Sequence, residues 1–192
     1  HKTHPEVKEE MIQLINEYQP DVACFQEMVA GDKEAKTINP LSEFKNRLGM
    51  EYAYYAYLKQ FDFDDYHHFG IILFSKHPIL KKEMISPYPA NYNSVFQYAD
   101  IVKGTDTTRI FNLHLQTLRF SADNRKYLDK PSLKDESDLK NSKTVLSKLK
   151  RGISRHREQS DRVREEIEKS PYPVIVCGDF NDVPNSYAYQ KI

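Results

Sequence analysis

The chain carries no net charge, its 28 Lys and Arg being matched by 28 Asp and Glu over 192 residues. A balanced chain exerts no general pull on polyanions, so contact with nucleic acid would need a local cationic patch. Cysteine is scarce: Cys24 and Cys177 are the only two, each inside an apolar run. They read as buried free thiols, with a bridge open to them only if their strands are neighbours, and they leave the compartment undecided. No apolar run approaches the ~18 residues of a membrane-spanning helix, and no leader peptide is evident. The chain opens at His1 without a Met, and helical patterning begins almost at once. That start is expected of a piece of a longer protein, so the missing leader says nothing about location. Internal repeats and low-complexity segments are also lacking.

What is there is ordinary globular material: 39% hydrophobic and 29% charged residues in 22.6 kDa. These proportions predict one domain over residues 1–192 with a proper core. Val7, Met11, Leu14 or Ile15 and Tyr18 recur at helical spacing, with Thr3 as N-cap and Gln19-Pro20 as the stop. Residues 28–36 read as loop, and Leu41, Phe44 and Leu48 as a short helix. The tyrosine-rich run 52–57 reads as a strand whose rings pack. Residues 61–68 hold His67 and His68 beside Asp62, Asp64 and Asp65 without diagnostic ligand spacing, and read as a loop of mixed charge. Tyr88, Tyr92 and Tyr98 either line a groove or pack. Strands follow at 79–85, 94–102 and 108–116, the last two joined by a turn at Lys103-Gly104-Thr105-Asp106. Residues 137–169 read as a long basic helix. Leu139, Leu146, Ile153 and Ile167 form its apolar stripe, with Leu149 and Val163 between them, on a sheet rather than in a coiled coil. Its Lys and Arg residues read as a solvated face.

The segment Pro173-Val174-Ile175-Val176-Cys177-Gly178-Asp179-Phe180-Asn181-Asp182 is the most informative. Four apolar residues predict a strand covered on both faces. Beyond Gly178, Asp179 and Asn181 would project together while Phe180 turns back into the core. A turn is expected over Val183-Pro184-Asn185-Ser186. Three other apolar runs end in chemically capable residues. Asp21–Phe25 leads to Gln26 and Glu27, Phe69–Ser75 leads to Lys76-His77-Pro78-Ile79, and Arg109–Thr117 places Asn112, His114 and Gln116 two apart.

In this order the four segments resemble the endonuclease/exonuclease/phosphatase superfamily, over about residues 7–186. The resemblance implies an α+β, four-layer αββα sandwich of the deoxyribonuclease I-like kind. It also implies a divalent-metal-dependent hydrolase of phosphate esters, a phosphodiesterase, nuclease or phosphatase. Glu27 matches the family's metal-binding glutamate, for Mg²⁺ or Mn²⁺, and His114 its Asn-x-His histidine. Asp179 would orient or deprotonate the attacking water, Asn181 would hold phosphate or water, and His114 would serve a phosphoryl oxygen or a proton transfer. Asn112 and Gln116 are expected on the substrate side, Asn112 as a support. Substrates of the class are nucleic acid, phosphoinositide or phospholipid headgroups, with a monomer and no obligate protein partner expected. The family also begins with an Asn-bearing strand and ends with strands carrying an Asp and an Asp-His pair. This sequence includes neither, so the fold is expected to be incomplete at both ends and the natural protein longer. The competing reading is a non-catalytic binding or scaffolding module that keeps the fold.

Overall fold

The computed structural model describes residues 5–30, 41–58, 68–85, 94–117, 121–129 and 136–192. Two helices come early: α1 (Pro5–Tyr18), and α2 (Leu41–Arg47) after strand β1 (Val22–Ala30). Then come β2 (Tyr52–Tyr57), β3 (His68–Ser75), β4 (Ile79–Ile85), β5 (Val95–Lys103) and β6 (Asp106–His114). Helices α3 (Ala122–Asp129) and α4 (Glu136–Glu168) precede β7 (Val174–Asp179) and a short α5 (Tyr187–Lys191). The loop over residues 61–67, Tyr88 and Tyr92 lie outside the described residues.

The strands form two sheets, one ordered β1-β3-β2 and the other β4-β5-β6-β7. Each sheet is coated by helix on its outer side. Ile12 of α1 and Phe44 of α2 pack on Ile72 and Phe74 of β3. Val163 of α4 and Ala188 of α5 pack on Phe96, Phe111 and Leu113 of the second sheet. Between the sheets, Leu73 meets Ala99, Ile101 and Ile110, with Cys24 and Cys177 at the margin. Period-two alternation sends neighbouring residues to opposite faces, so each central strand serves two cores. This is the expected four-layer αββα sandwich.

Three expectations change. First, β1 does not stop at Glu27 but continues to Ala30. Second, β7 pairs only with β6 and forms an edge among the described residues, leaving Ile175 52% exposed rather than covered. Third, α4 is rotated from the expected stripe: Leu139, Leu146 and Ile153 are 47%, 67% and 62% exposed. The buried face is Val145, Gly152, His156, Gln159, Ser160 and Val163, so Val163 and Ile167 of the expected stripe pack while its first half does not. The physical reason is that α4 crosses the ends of β6 and β7, where unpaired backbone groups demand polar partners. His156 Nε2 donates to Gln116 O at 2.6 Å, and Gln159 Oε1 accepts from Gln116 N at 3.1 Å. A leucine stripe could satisfy neither.

Candidate active site

Strand direction decides which polar ends meet. β6 and β7 run parallel with His114 opposite Asp179, so both side chains emerge at one end of the sandwich. β1 is antiparallel to β3, and its Glu27 end lies far from Ser75, which pairs with Val22. Lys76 and His77 therefore sit at the opposite end, where His77 Nε2 meets Asp21 Oδ1 at 3.0 Å. The structure brings Gln26, Glu27, Asn112, His114, Asp179 and Asn181 together and leaves the Ser-Lys-His-Pro turn apart.

A β-bulge makes Glu27 available. In a regular strand Gln26 and Glu27 would face opposite sides. Register shifts between Phe25 and Met28, so both residues oppose Ile71 alone, and Glu27 takes φ 53°. An extra residue in left-handed conformation re-aims its side chain. Gln26 Nε2 donates to Asn112 Oδ1 at 2.7 Å, while Glu27 Oε1 stands 3.7 Å from His114 Nε2.

Asn112 is fully buried. Besides accepting from Gln26, its Nδ2 donates to Ile72 O at 3.0 Å and Phe25 O at 3.3 Å. An enclosed amide so engaged cannot touch substrate; it ties the sheets together under the site. His114 is 1% exposed and its Nε2 has no hydrogen-bond partner. Burial pulls its pKa below the usual imidazole value, against the opposing pull of Glu27 and Asp179. The ring is therefore neutral near pH 7, with Nε2 aimed toward the Glu27 carboxylate.

Asp179 is exposed, and its Oδ1 accepts from Asn181 N at 2.8 Å. Asn181, at φ 48°, donates through Nδ2 to Leu115 O at 2.9 Å, leaving its Oδ1 and one N–H for a ligand. Phe180 turns inward as expected and stacks on Tyr189 at 4.5 Å. Gly178 lets β7 lie close to β6, since a Cβ there would stand 2.1 Å from Leu113 O. Gln116 has its backbone held by α4, while its buried Oε1 has no partner.

The sequence reading missed the support from α4. His156 Nδ1 faces Asp182 Oδ2 at 3.0 Å, which fixes the segment after Asn181. Gln159 Nε2 donates to Ser94 Oγ at 2.9 Å. Gln97, in register with Asn112, is buried with neither amide atom bonded. The available signal was the spacing of His156, Gln159 and Ser160, a polar patch on one helical face.

The donor chemistry suits a hard cation. Among the described residues no three His, Cys, Asp or Glu side chains stand close enough together to hold a metal ion by themselves. Mg²⁺ nevertheless needs only one or two carboxylates and keeps water elsewhere. Glu27, a carboxylate 55% exposed at this end of the sandwich, fits that requirement.

A four-layer sandwich with acid, amide and imidazole groups at one end of its sheets defines a deoxyribonuclease I-like protein. The profile of the Endonuclease/Exonuclease/phosphatase family matches residues 5–192, and the chain belongs to that family. Solved structures of this fold agree. The human Nocturnin catalytic domain, with bound sulfate, is 20% identical at TM-score 0.59, over 98% of this chain and 61% of that one. Sphingomyelinase C from Streptomyces griseocarneus is 18% identical at TM-score 0.58, over 95% and 60%. D. rerio TDP2 complexed with a single-strand DNA product is 16% identical at TM-score 0.55, over 91% and 53%. The chain thus spans roughly half to three fifths of the length of these structures. No curated protein matches it in sequence.

Proposed function

We propose that the protein hydrolyses phosphate esters with a divalent cation, Mg²⁺ or Mn²⁺, held by Glu27. The observation that carries this is the buried, unpartnered Nε2 of His114 beside two carboxylates, Glu27 at 3.7 Å and Asp179 in register. A buried polar atom left unpaired is costly, and such groups mark where a ligand completes the bonding. The cation would supply charge neutralisation for the phosphoryl oxygens.

The chain's own groups do the rest. Asp179, exposed, accepts a hydrogen bond from water and aims it at phosphorus. Asn181 fixes one Asp179 oxygen through its backbone N–H and offers its free amide groups to a phosphoryl oxygen. His114, neutral, donates from Nε2 to a second phosphoryl oxygen or relays a proton. Gln116 lines the same end of β6 and reaches substrate only if its side chain leaves its enclosed position. All these groups come from one chain, so a monomer is the proposed working unit. The substrate is a phosphomonoester or diester, whether in nucleic acid, a phosphoinositide or a phospholipid headgroup.

The test is turnover of plasmid DNA, phosphoinositides, sphingomyelin and a bis-aryl phosphodiester by the whole protein, with Mg²⁺, with Mn²⁺ and with chelator. Metal-dependent hydrolysis of at least one is expected. Asp179→Asn keeps the shape and removes the charge, so kcat should fall while KM changes little. Full activity of a folded Asp179→Asn protein, or no hydrolysis of any substrate, would overturn the proposal and leave a binding module.

A further inference from the structure

Among the described residues the outward face of α4 has no partner, and its composition is specific. Leu139, Lys143, Leu146, Lys150, Ile153 and Arg157 follow one another at spacings of four, three, four, three and four. At 3.6 residues per turn these fall on one stripe along the helix. All six are exposed, and the stripe runs about 27 Å at 1.5 Å per residue. Aliphatic and cationic side chains alternate along its length.

Charge on α4 is divided sharply. From Lys140 to Arg157 there are seven Lys and Arg and no Asp or Glu, although the whole chain is neutral. Among the described residues no ion pair includes Lys140, Lys143, Lys150, Arg151 or Arg155. Beyond that point the helix neutralises itself: Arg162 pairs with Glu165 and Glu166, Arg164 with Glu168, and Lys169 with Glu166.

Position adds direction. His156 marks where α4 passes the ends of β6 and β7, through its bonds to Gln116 and Asp182. Val163 and Ile167 lie over the sheet with Val174 and Val176. Residues 139–153 therefore extend past the sheet on the side where Glu27, His114 and Asp179 emerge. Lys148 Nζ donates to Asn124 Oδ1 at 2.6 Å, which braces this extension against α3.

We propose that this stripe docks the protein on the surface of an anionic phospholipid bilayer. A bilayer interface takes both halves of the pattern. Leu139, Leu146 and Ile153 enter the boundary of the acyl region, while Lys143, Lys150 and Arg157 meet the headgroup phosphates. A nucleic-acid backbone would use the cations alone and leave three aliphatic side chains spread between them in water. The inference stands apart from hydrolysis, because docking needs no turnover.

Co-sedimentation of the whole protein with vesicles tests it. Binding is expected to phosphatidylcholine vesicles containing phosphatidylserine, with little to phosphatidylcholine alone. Each cation near such a surface is worth about fivefold in affinity. Lys143→Glu/Lys150→Glu should therefore weaken binding by ~25-fold or more. Leu146→Ser/Ile153→Ser should weaken it at least ~10-fold by removing buried methyl groups, with far-UV circular dichroism unchanged for both. High salt should weaken the wild type and have less effect on the Lys143→Glu/Lys150→Glu protein. Wild-type protein that ignores phosphatidylserine vesicles would overturn the proposal without any variant. So would binding that both double variants retain. Duplex DNA binding lost in the lysine variant but kept in the Leu146→Ser/Ile153→Ser variant, without vesicle binding, would assign the face to nucleic acid instead.

Discussion

Replacing Asn112 with Ala tests whether the site stands on a polar tie between the sheets. The side chain makes three hydrogen bonds, to Gln26 Nε2 at 2.7 Å, Ile72 O at 3.0 Å and Phe25 O at 3.3 Å. At about 1 kcal/mol net for each buried bond, their loss costs about 3 kcal/mol, and truncation leaves a cavity between the sheets as well. A total of roughly 3–5 kcal/mol is expected, a large share of the ~5–15 kcal/mol that holds a typical domain. For a chain of this size that lowers Tm by about 2–4 °C per kcal/mol. Urea unfolding with Gln26→Ala, Asn112→Ala and the double variant separates the pair from its surroundings. Coupling of about 0.5–3 kcal/mol is expected for directly bonded partners. The single Asn112→Ala change should also impair turnover, because Asn112 holds Gln26, the residue before Glu27. A stability loss under about 1 kcal/mol, or no coupling to Gln26, would refute the tie.

Two further outcomes follow. Gly178→Ala must relieve a 2.1 Å approach to Leu113 O, and Gly178 has φ 153°. It should therefore cost about 1–3 kcal/mol in denaturant unfolding and displace Asp179 enough to slow turnover. Unchanged stability would mean β7 moves freely. Cys177 has its thiol pKa lowered to about 7 by a hydrogen bond from the partly buried Cys24 thiol. Its iodoacetamide alkylation should thus titrate near pH 7 and shift upward in Cys24→Ala, and an identical midpoint in both proteins would deny the contact.

The sequence made the layer order and the polar strand ends readable, because each rests on a local pattern. Alternation along residues 109–116 puts Asn112 and His114 on one face, and Gly178 ends an apolar run where Asp179 must emerge. Orientation across the fold was not local. Ser75-Lys76-His77 looked like a fourth contribution to the site, yet antiparallel pairing of β3 with β1 carries it to the far end. Leu139, Leu146 and Ile153 looked like the packing stripe of α4 because burial usually selects aliphatic residues. The ends of β6 and β7 select hydrogen-bonding residues instead, and His156 and Gln159 turn the helix to meet them. That β7 is an edge among the described residues depends on which strands pair, which composition does not encode.

Backbone conformation separates a site from a turn rich in polar residues. Among the described residues three non-glycine positions have positive φ: Gln19, Glu27 and Asn181. Gln19 follows the last residue of α1, where a left-handed residue is a common way to end a helix. Glu27 and Asn181 have no helix to end, and each holds a conformation costing of order 1–2 kcal/mol for an L-residue. Relaxing Glu27 would restore strand alternation and turn its carboxylate away from His114. Relaxing Asn181 would break its backbone bond to Asp179 and its side-chain bond to Leu115 O. Both costs are borne at the groups that converge on the unpartnered His114 Nε2, and both vanish if the strands simply ran straight. Strain concentrated on converging polar groups is expected of a site prepared for a ligand. A solvent-facing turn gains nothing from it.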